Sequence, residues 1–218
     1  YGSFFTGFPY PIPMVEGIKK SLPEKYWGSE PNKYYDPSGF SVHDGGYWLN
    51  SDTTKQTLIM YYMKASGVLQ KVEERAAEGE RSVVMEIGPG FGGGPVTYRR
   101  AFGDKVVVVV VDLPESLLLS SSHIRGTYPD ARIWMYDPRV ASDFPEDWTE
   151  VDFILLPNYR SDLISRLPYL NYVVNCISMQ EMRAEDIEEY CQRIKERLDG
   201  VFFSMNLDRH DDNPELES

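Results

Sequence analysis

The residues best suited to do chemistry in this sequence lie around one glycine-rich turn. In the stretch "VVMEIGPGFGGGP", Glu86 stands two positions before Gly88, and Gly90, Gly92 and Gly93 follow. Glycine loses more backbone entropy on folding than any other residue, but its missing side chain lets backbone amides come close to a ligand. The spacing therefore predicts a turn against which something packs closely.

A second acid, Asp112, ends the next run of valines. A carboxylate at the end of a strand can accept hydrogen bonds from both hydroxyls of a ribose, so the turn and the acid together predict a nucleoside cofactor. The alternative is a plain tight turn, with Asp112 capping a helix.

Two classes of nucleoside cofactor are compatible with this turn. The letters "GPGFGG" fit G-x-G-x-x-G, which leaves a nicotinamide dinucleotide, and hence an oxidoreductase, as one alternative. Glu86 disfavours it, because a carboxylate just before the turn would repel a pyrophosphate. An acid there suits a ligand with a positive end, such as the amino group of S-adenosylmethionine.

The segment "NCISMQEM", which follows a predicted strand, carries side chains that can hydrogen-bond sugar hydroxyls. We assign Asn175 to the cofactor, and Ser178 and Gln180 to the substrate. Glu181 could act as a general base towards a hydroxyl group, or could bind a metal. The alternative is that Gln180 and Glu181 cap the following helix.

Two histidines are further candidates for a catalytic base. His43 lies in "SVHDGGYW", and His210 lies in "NLDRHDD" after the last predicted strand. A lone histidine is more often structural than catalytic. Tyr47 and Trp48 could stack on a sugar ring, or could attach an N-terminal arm to its domain. The acids of "DRHDD" could bind a divalent cation, but a solvated tail is the alternative, so a metal is not indicated.

Alternating strands and helices must position these residues. The alternation predicts an α/β fold, with a doubly wound, mostly parallel sheet that helices cover on both faces. Ligands of such sheets bind at the carboxyl ends of the strands, near the topological switch point. The predicted strands are 82–87, 105–111, 131–137, 151–157, 169–178 and 201–206, and the predicted helices include 94–102, 114–129 and 184–198.

Composition changes along the chain. Residues 1–50 are rich in aromatic residues, proline and glycine, and predict an arm or lid with a short helix at 15–21. Residues 51–80 read as a helical lead-in, and residues 81–218 as the cofactor-binding domain.

The net charge, the length of the apolar runs and the cysteine content argue against some classes of protein. The 218 residues carry a net charge of −12, which argues against a nucleic-acid partner. The longest apolar run, 106–111, is far too short to span a bilayer, so we expect no membrane partner. Cys176 and Cys191 have no Cys-x-x-Cys spacing, and we interpret both as reduced thiols of a cytoplasmic protein. Composition and net charge are compatible with a homo-oligomer.

Four segments carry a family resemblance. "EIGPGFGG", "VVDLPESLLL", "YVVNCISMQEM" and "FFSMNL", in that order, resemble the class I S-adenosylmethionine-dependent methyltransferases and, more narrowly, the sugar O-methyltransferase family. The resemblance covers roughly residues 47–207. It implies that Glu86, Gly88 and Gly90 hold the methionine end of the cofactor, that Asp112 holds the ribose, and that Leu113 flanks the adenine. The cofactor-binding residues predicted in this way and from the turn itself are Glu86, Gly88, Gly90, Phe91, Asp112, Leu113, Pro157, Asn158 and Asn175.

The same resemblance implies a Rossmann-like fold and methyl transfer to a hydroxyl of a sugar or polyol metabolite. The sequence departs from the family at its C-terminal end. Class I domains finish with an antiparallel strand pair, and the dozen residues after Asn206 are too few for it. We therefore expect an incomplete C-terminal end, which keeps a third alternative open: a non-catalytic, methyltransferase-like partner subunit.

Overall fold

The structure, a computed structural model, describes residues 12–28, 30–31, 42–44, 47–49, 51–140 and 144–206. Contacts divide the chain into two units, Tyr1–Leu69 and Gln70–Ser218. The predicted base His210 lies outside the described residues.

Among the described residues, the chain forms six α-helices and nine β-strands. The helices are α1 Ile12–Ser21, α2 Ser51–Ala65, α3 Val68–Ala77, α4 Gly93–Phe102, α5 Pro114–Thr127 and α6 Ala184–Arg197. The strands are β1 Glu30–Pro31, β2 Val42–Asp44, β3 Tyr47–Leu49, β4 Ser82–Ile87, β5 Val106–Asp112, β6 Ile133–Met135, β7 Phe153–Pro157, β8 Leu170–Cys176 and β9 Leu198–Met205.

The first unit combines α1 and α2 with a small antiparallel sheet of strand order β1-β3-β2. His43 pairs with Trp48 in the ladder between β2 and β3. Gly28 lies against α2, where its N–H donates to the Thr57 hydroxyl at 2.8 Å. A side chain at Gly28 would overlap the backbone of Thr53, so this close approach requires glycine.

The second unit is built on a six-stranded sheet of order β6-β7-β5-β4-β8-β9, and every pairing in it is parallel. The described residues thus confirm the predicted α/β fold with a Rossmann-like, doubly wound sheet. The chain builds outward from β4 through β5 to β6 and β7, then returns to place β8 on the other side of β4. The topological switch point therefore lies between β4 and β8.

Burial explains why the strands read as continuous apolar runs. β5 is six valines followed by Asp112, and all six valines are fully buried. A parallel strand covered on both faces has no solvent side, so apolar residues do not alternate with polar ones. Strand β4 has the bounds that the sequence predicted. β5 begins and ends one residue later than the predicted strand 105–111, and Asp112 at its end still pairs with Pro157 of β7.

Two apolar layers cover the sheet. On one face, the odd-numbered residues of β4 and β5 pack against α6 and the 3₁₀ segment Asn158–Arg166, which replaces a helix between β7 and β8. The other face carries α4 and α5, which pack against each other and against β5. None of the described helices is both long enough and apolar enough to cross a membrane.

An acid at the amino edge of the sheet ties three segments together. Asp152, just before β7, is 4% exposed, and its carboxylate lies 3.3 Å from Arg81, 3.4 Å from Arg99 and 3.4 Å from Arg132. The backbone N–H of Arg132 also donates to it at 2.9 Å. Burial raises the pKa of Asp152, but the hydrogen bonds from Arg132 and the charges of Arg99 and Arg132 outweigh it, so the pKa is lowered overall.

Asp152→Asn should destabilise the second unit by about 3–5 kcal/mol, because it leaves several partly buried guanidinium groups without their shared carboxylate. A lowered folded-state pKa gives stability that is present above the unfolded value of 3.8 and is lost as the pH falls through the folded pKa. The difference between wild type and variant should therefore shrink below about pH 4. Urea denaturation at several pH values measures this. Asp199→Asn, at an exposed ion pair with Arg75, is the control and should cost under about 1 kcal/mol. A pH-independent difference would contradict the assignment.

Candidate functional site

A cavity of about 480 Å³ lies at the carboxyl ends of the central strands. Its wall contains Gly88 after β4, Asp112 at the end of β5, Asn158 after β7 and Ser178 after β8. The volume is within the usual range for small-molecule sites, and the position at the switch point is where doubly wound sheets bind their ligands.

The glycine turn closes tightly against the turn that follows β8. Gly88, Gly90 and Gly92 have φ values of +71°, +63° and +91°, a region that side chains strongly disfavour. A side chain at Gly88 would also overlap the Ser178 side chain. Glycine is therefore needed at position 88 for two reasons, its backbone conformation and the contact across the switch point.

Asp112 faces the cavity with its carboxylate held in place. Its two oxygens accept hydrogen bonds from the backbone N–H groups of Gly90 and Leu113, each at 2.8 Å. Burial raises the pKa of Asp112, and hydrogen bonds from Leu113, Gly90 and Ser116 partly offset this. A carboxylate offers about four lone-pair positions, so Asp112 keeps an acceptor position for a ligand hydroxyl.

Glu86 lies beneath the turn rather than in the cavity wall. It is 3% exposed, and a side chain placed at Gly94 would overlap its carboxylate. Gly94 belongs to the first turn of α4, where the exposed N–H groups and the helix dipole favour negative charge. Glu86 thus supplies an anion at the helix N-terminus from within the protein.

Asn175, the fully buried penultimate residue of β8, holds the turn that follows. Its amide nitrogen donates to the Ile87 carbonyl at 3.1 Å and to the Ser178 hydroxyl. Its amide oxygen accepts the N–H of Met179 at 3.3 Å and the side chain of Asn206 at 2.9 Å. These bonds use both donors and both lone pairs of the amide, so Asn175 positions the turn.

The same turn contains a backbone conformation that no sequence pattern indicates. Ile177 has a φ of +69°, and its N–H donates to the Met205 carbonyl at 2.8 Å. A β-branched residue in this region is an outlier that costs on the order of 1–3 kcal/mol. Such strain is found mostly at binding and catalytic sites, and here it lies one residue from the cavity wall.

Charged side chains form the outer wall of the cavity. Arg183 pairs with Asp186 at 3.0 Å, and Arg193 pairs with Glu189. Within the described part of the chain, the Glu181 carboxylate has no ion-pair partner, and it faces the cavity. The described wall holds four carboxylates and two guanidinium groups, an excess of two negative charges: Asp112, Glu181, Asp186 and Glu189 against Arg183 and Arg193.

Helix α6 contributes residues that the sequence analysis missed. Asp186, Tyr190 and Arg193 all line the cavity, since residues four and three apart share one face of a helix. Burial raises the pKa of Tyr190 to about 12, and its hydroxyl neighbours Ser161. The mixture of Asp, Tyr and Arg along one face of a helix next to a predicted site was the signal that could have found them.

The structure brings six of the sixteen predicted site residues into the cavity wall. Those in the wall are Gly88, Asp112, Leu113, Asn158, Ser178 and Glu181. Those packed behind or beside it are Glu86, Gly90, Phe91, Pro157, Asn175 and Gln180. His43, Tyr47 and Trp48 lie on β2 and β3 of the first unit, where the structure describes only the backbone. The role of each remains a prediction.

The described residues also bear on metal binding and on the state of the two cysteines. Within the residues described, no three His, Cys, Asp or Glu side chains come together as a metal site would require. Neither cysteine forms a disulfide: Cys176 is buried at the end of β8, and Cys191 is exposed on α6.

Two O-methyltransferases are among the solved structures that are similar to this chain. A proposed O-methyltransferase from Nostoc punctiforme PCC 73102 is 11% identical with a TM-score of 0.36, and the match covers 69% of this chain and 39% of that one. A protein-L-isoaspartate O-methyltransferase is 15% identical with a TM-score of 0.36, and the match covers 75% and 43%. The chain thus spans less than half the length of each. No protein-family model and no curated protein matches the chain. The fold assignment rests on the strand order described above.

Gly88→Ala should lower the free energy of unfolding by about 1–3 kcal/mol, because alanine is strained at a positive φ and its methyl group would meet Ser178. Thermal or urea denaturation measures the loss. Gly126→Ala is the matched control, since nothing lies within 4 Å of the added methyl group on α5, and it should be neutral or stabilise by about 1 kcal/mol. Equal stability of Gly88→Ala and wild type would show that the two turns do not meet as described.

Proposed function

We propose that this protein is an S-adenosylmethionine-dependent O-methyltransferase whose acceptor is a hydroxyl group of a sugar or sugar-containing small metabolite. The observation that carries the proposal is the placement of two acids at the switch point. Asp112 lies in the cavity wall, while the buried Glu86 lies against the first turn of α4.

The position of Glu86 favours an adenosyl ligand over a dinucleotide. In dinucleotide-binding folds, the pyrophosphate lies at the N-terminus of the helix that follows the glycine turn. Here the Glu86 carboxylate already supplies negative charge at that end of α4. A pyrophosphate would add two negative charges beside a buried one, whereas the sulfonium and amino groups of S-adenosylmethionine are attracted to it.

The charge of the cavity wall supports the same ligand class. The wall has two excess negative charges, and the whole chain has a net charge of −12. Both favour a donor that carries a net positive charge and disfavour phosphorylated ligands and nucleic acids as partners. We expect Asp112 to accept a hydrogen bond from a ribose hydroxyl, with Leu113 beside the adenine.

Bound S-adenosylmethionine supplies a methyl group on a sulfonium for an in-line displacement. The protein must then orient an acceptor oxygen, exclude water and take up its proton. Glu181 is the candidate base, because its carboxylate faces the cavity without an ion-pair partner in the described residues. Ser178 and the face of α6 offer hydrogen bonds to other hydroxyls of the acceptor.

The sugar acceptor and the cytoplasmic location belong to the same proposal. The polar cavity wall and the sequence resemblance to sugar O-methyltransferases support a polyol acceptor. Two cysteines without a disulfide are typical of a reducing compartment.

Asp112→Asn should weaken binding of S-adenosylhomocysteine at least tenfold, because the variant loses the charge and an acceptor position at the ribose. Isothermal titration calorimetry on the full chain measures the affinity, with NAD as a second titrant. Asp104→Asn, an acid far from the cavity that pairs with Arg99, is the matched control and should bind like wild type. Binding of NAD but not of S-adenosylhomocysteine by wild type would replace the proposal with the oxidoreductase alternative. Binding of neither would leave the partner-subunit alternative.

Glu181→Gln should lower kcat by about 10²–10⁴, the usual contribution of a general base, while the affinity for S-adenosylhomocysteine stays within about twofold of wild type. A mass-spectrometric screen of hydroxyl acceptors, followed by initial rates with the best one, provides the measurement. Glu185→Gln, on the exposed start of α6, is the control. Unchanged turnover in Glu181→Gln would remove this residue as the base and turn attention to His43 and His210.

A further inference from the structure

The end of β9 contacts the turn that carries the candidate base. We refer to residues 177–182, which follow β8, as the β8 turn. The carbonyl of Met205, the last residue of β9, accepts the N–H of the strained Ile177 at 2.8 Å. The next residue, Asn206, contacts the same turn through its side-chain amide. Two consecutive residues at the edge strand of the sheet therefore hold the β8 turn.

The amide of Asn206 forms three hydrogen bonds. Its oxygen accepts the backbone N–H of Gln180 at 3.3 Å. Its nitrogen donates to the side-chain oxygen of Asn175 at 2.9 Å and to the Ser204 hydroxyl at 2.9 Å. Because a backbone N–H can only donate, the bond from Gln180 fixes which end of the amide faces the turn.

These bonds cap a short 3₁₀ segment. The segment is Met179–Glu181, and the first N–H groups of any such segment have no partner within it. Ser178 precedes the segment but does not cap it, because its hydroxyl donates to a carbonyl of β4 at 3.0 Å. The first N–H of the segment donates instead to the amide of Asn175 and the second to that of Asn206, each at 3.3 Å. Two asparagine side chains thus supply the missing cap.

The capped segment carries Glu181 at its third position. The N–H of Glu181 donates to the Ser178 carbonyl at 3.2 Å within the turn, so its side chain takes its direction from the segment. A turn that contains a residue as strained as Ile177 keeps its conformation only where its surroundings enforce it. Asn206 is not part of the described cavity wall, so it can affect the reaction only through the turn.

We propose that Asn206 is a positioning residue that holds the β8 turn and thereby orients the Glu181 carboxylate towards the acceptor oxygen. The inference rests on the proposed function. It divides the work of the site between two parts of the sheet. Asp112 and the glycine turn bind the methyl donor, whereas the end of β9 orients the group that takes up the acceptor's proton.

A double-mutant cycle between Asn206→Ala and Glu181→Gln tests the proposal. We expect Asn206→Ala to lower kcat about 10- to 100-fold, because a misplacement of about 1 Å can cost that much. Its affinity for S-adenosylhomocysteine, measured by calorimetry, should stay within about twofold of wild type. In the Glu181→Gln background, Asn206→Ala should change kcat by less than about twofold, because the amide acts only through the carboxylate.

Hydrogen exchange gives a second readout that does not depend on turnover. Without the Asn206 amide, the N–H of Gln180 loses its acceptor and the turn opens more often. Mass spectrometry on the full chain should show exchange about tenfold faster in peptides that cover the β8 turn. Peptides that cover β4 should exchange as in wild type.

Asn171→Ala is the matched control. Asn171 lies at the other end of β8, where its amide oxygen accepts the N–H of Val83 at 2.8 Å. Loss of this amide should lower Tm but leave kcat and the exchange of the β8 turn unchanged. Asn206→Asp is the second variant in case Asn206→Ala does not fold. It keeps the volume and an acceptor for Gln180 but places an oxygen against that of Asn175, so kcat should again fall.

The outcomes separate this inference from the proposed function. If wild type methylates an acceptor and the Asn206 variants do so at the same rate, the positioning role is wrong and the proposed function stands. A loss of kcat that persists in the Glu181→Gln background, or that Asn171→Ala shares, also overturns the role. Unchanged exchange in the β8 turn overturns it regardless of turnover. If wild type neither binds S-adenosylhomocysteine nor methylates any acceptor, both proposals fail.

Discussion

The contact between two turns at the switch point is the constraint on which the site depends. Strands β4 and β8 are neighbours, but the chain leaves them for opposite faces of the sheet, through α4 and α6. The turns that follow them therefore meet at one point, where Gly88 packs against Ser178. Asn175 ties the strands together through the Ile87 carbonyl. A cavity can open between the turns because neither needs a bulky side chain there.

The sheet was predictable from the sequence, because a strand buried on both faces leaves a continuous apolar run, and six valines in β5 are such a signal. The glycine turn and Asp112 were predictable for a similar reason, since their spacing follows from the geometry of a strand, a turn and a helix. The sequence predicts Asn175 as a cofactor-binding residue, but it does not show that the amide of Asn175 also forms hydrogen bonds within the protein. The cavity-lining residues of α6 and the strained backbone of Ile177 depend on tertiary packing, which no local sequence pattern encodes.

Two acids on one face of the sheet have different environments, and this difference gives them different roles. Glu86 pairs with Val110 in the ladder, and Asp112 lies two residues beyond that valine, so both side chains point towards the same layer. Glu86 lies two residues deeper along the strands than Asp112. Its carboxylate is therefore in the buried interior, whereas that of Asp112 is in the cavity wall. The buried acid acts on the helix terminus and the turn, and the edge acid is left to meet a ligand. Family resemblance alone places both on the ligand.

The two edges of the sheet hold features with opposite effects on stability. At the amino edge, Asp152 accepts hydrogen bonds and ion pairs from arginines of three segments, an arrangement that stabilises the fold. At the carboxyl edge, Ile177 has a strained backbone, with a φ of +69°. This conformation costs stability, and it lies in one of the two turns that meet at the switch point. Strain of this kind persists only where the surrounding structure enforces it, and selection tolerates it where activity needs it. The strain at Ile177 therefore favours the carboxyl edge as the site of function.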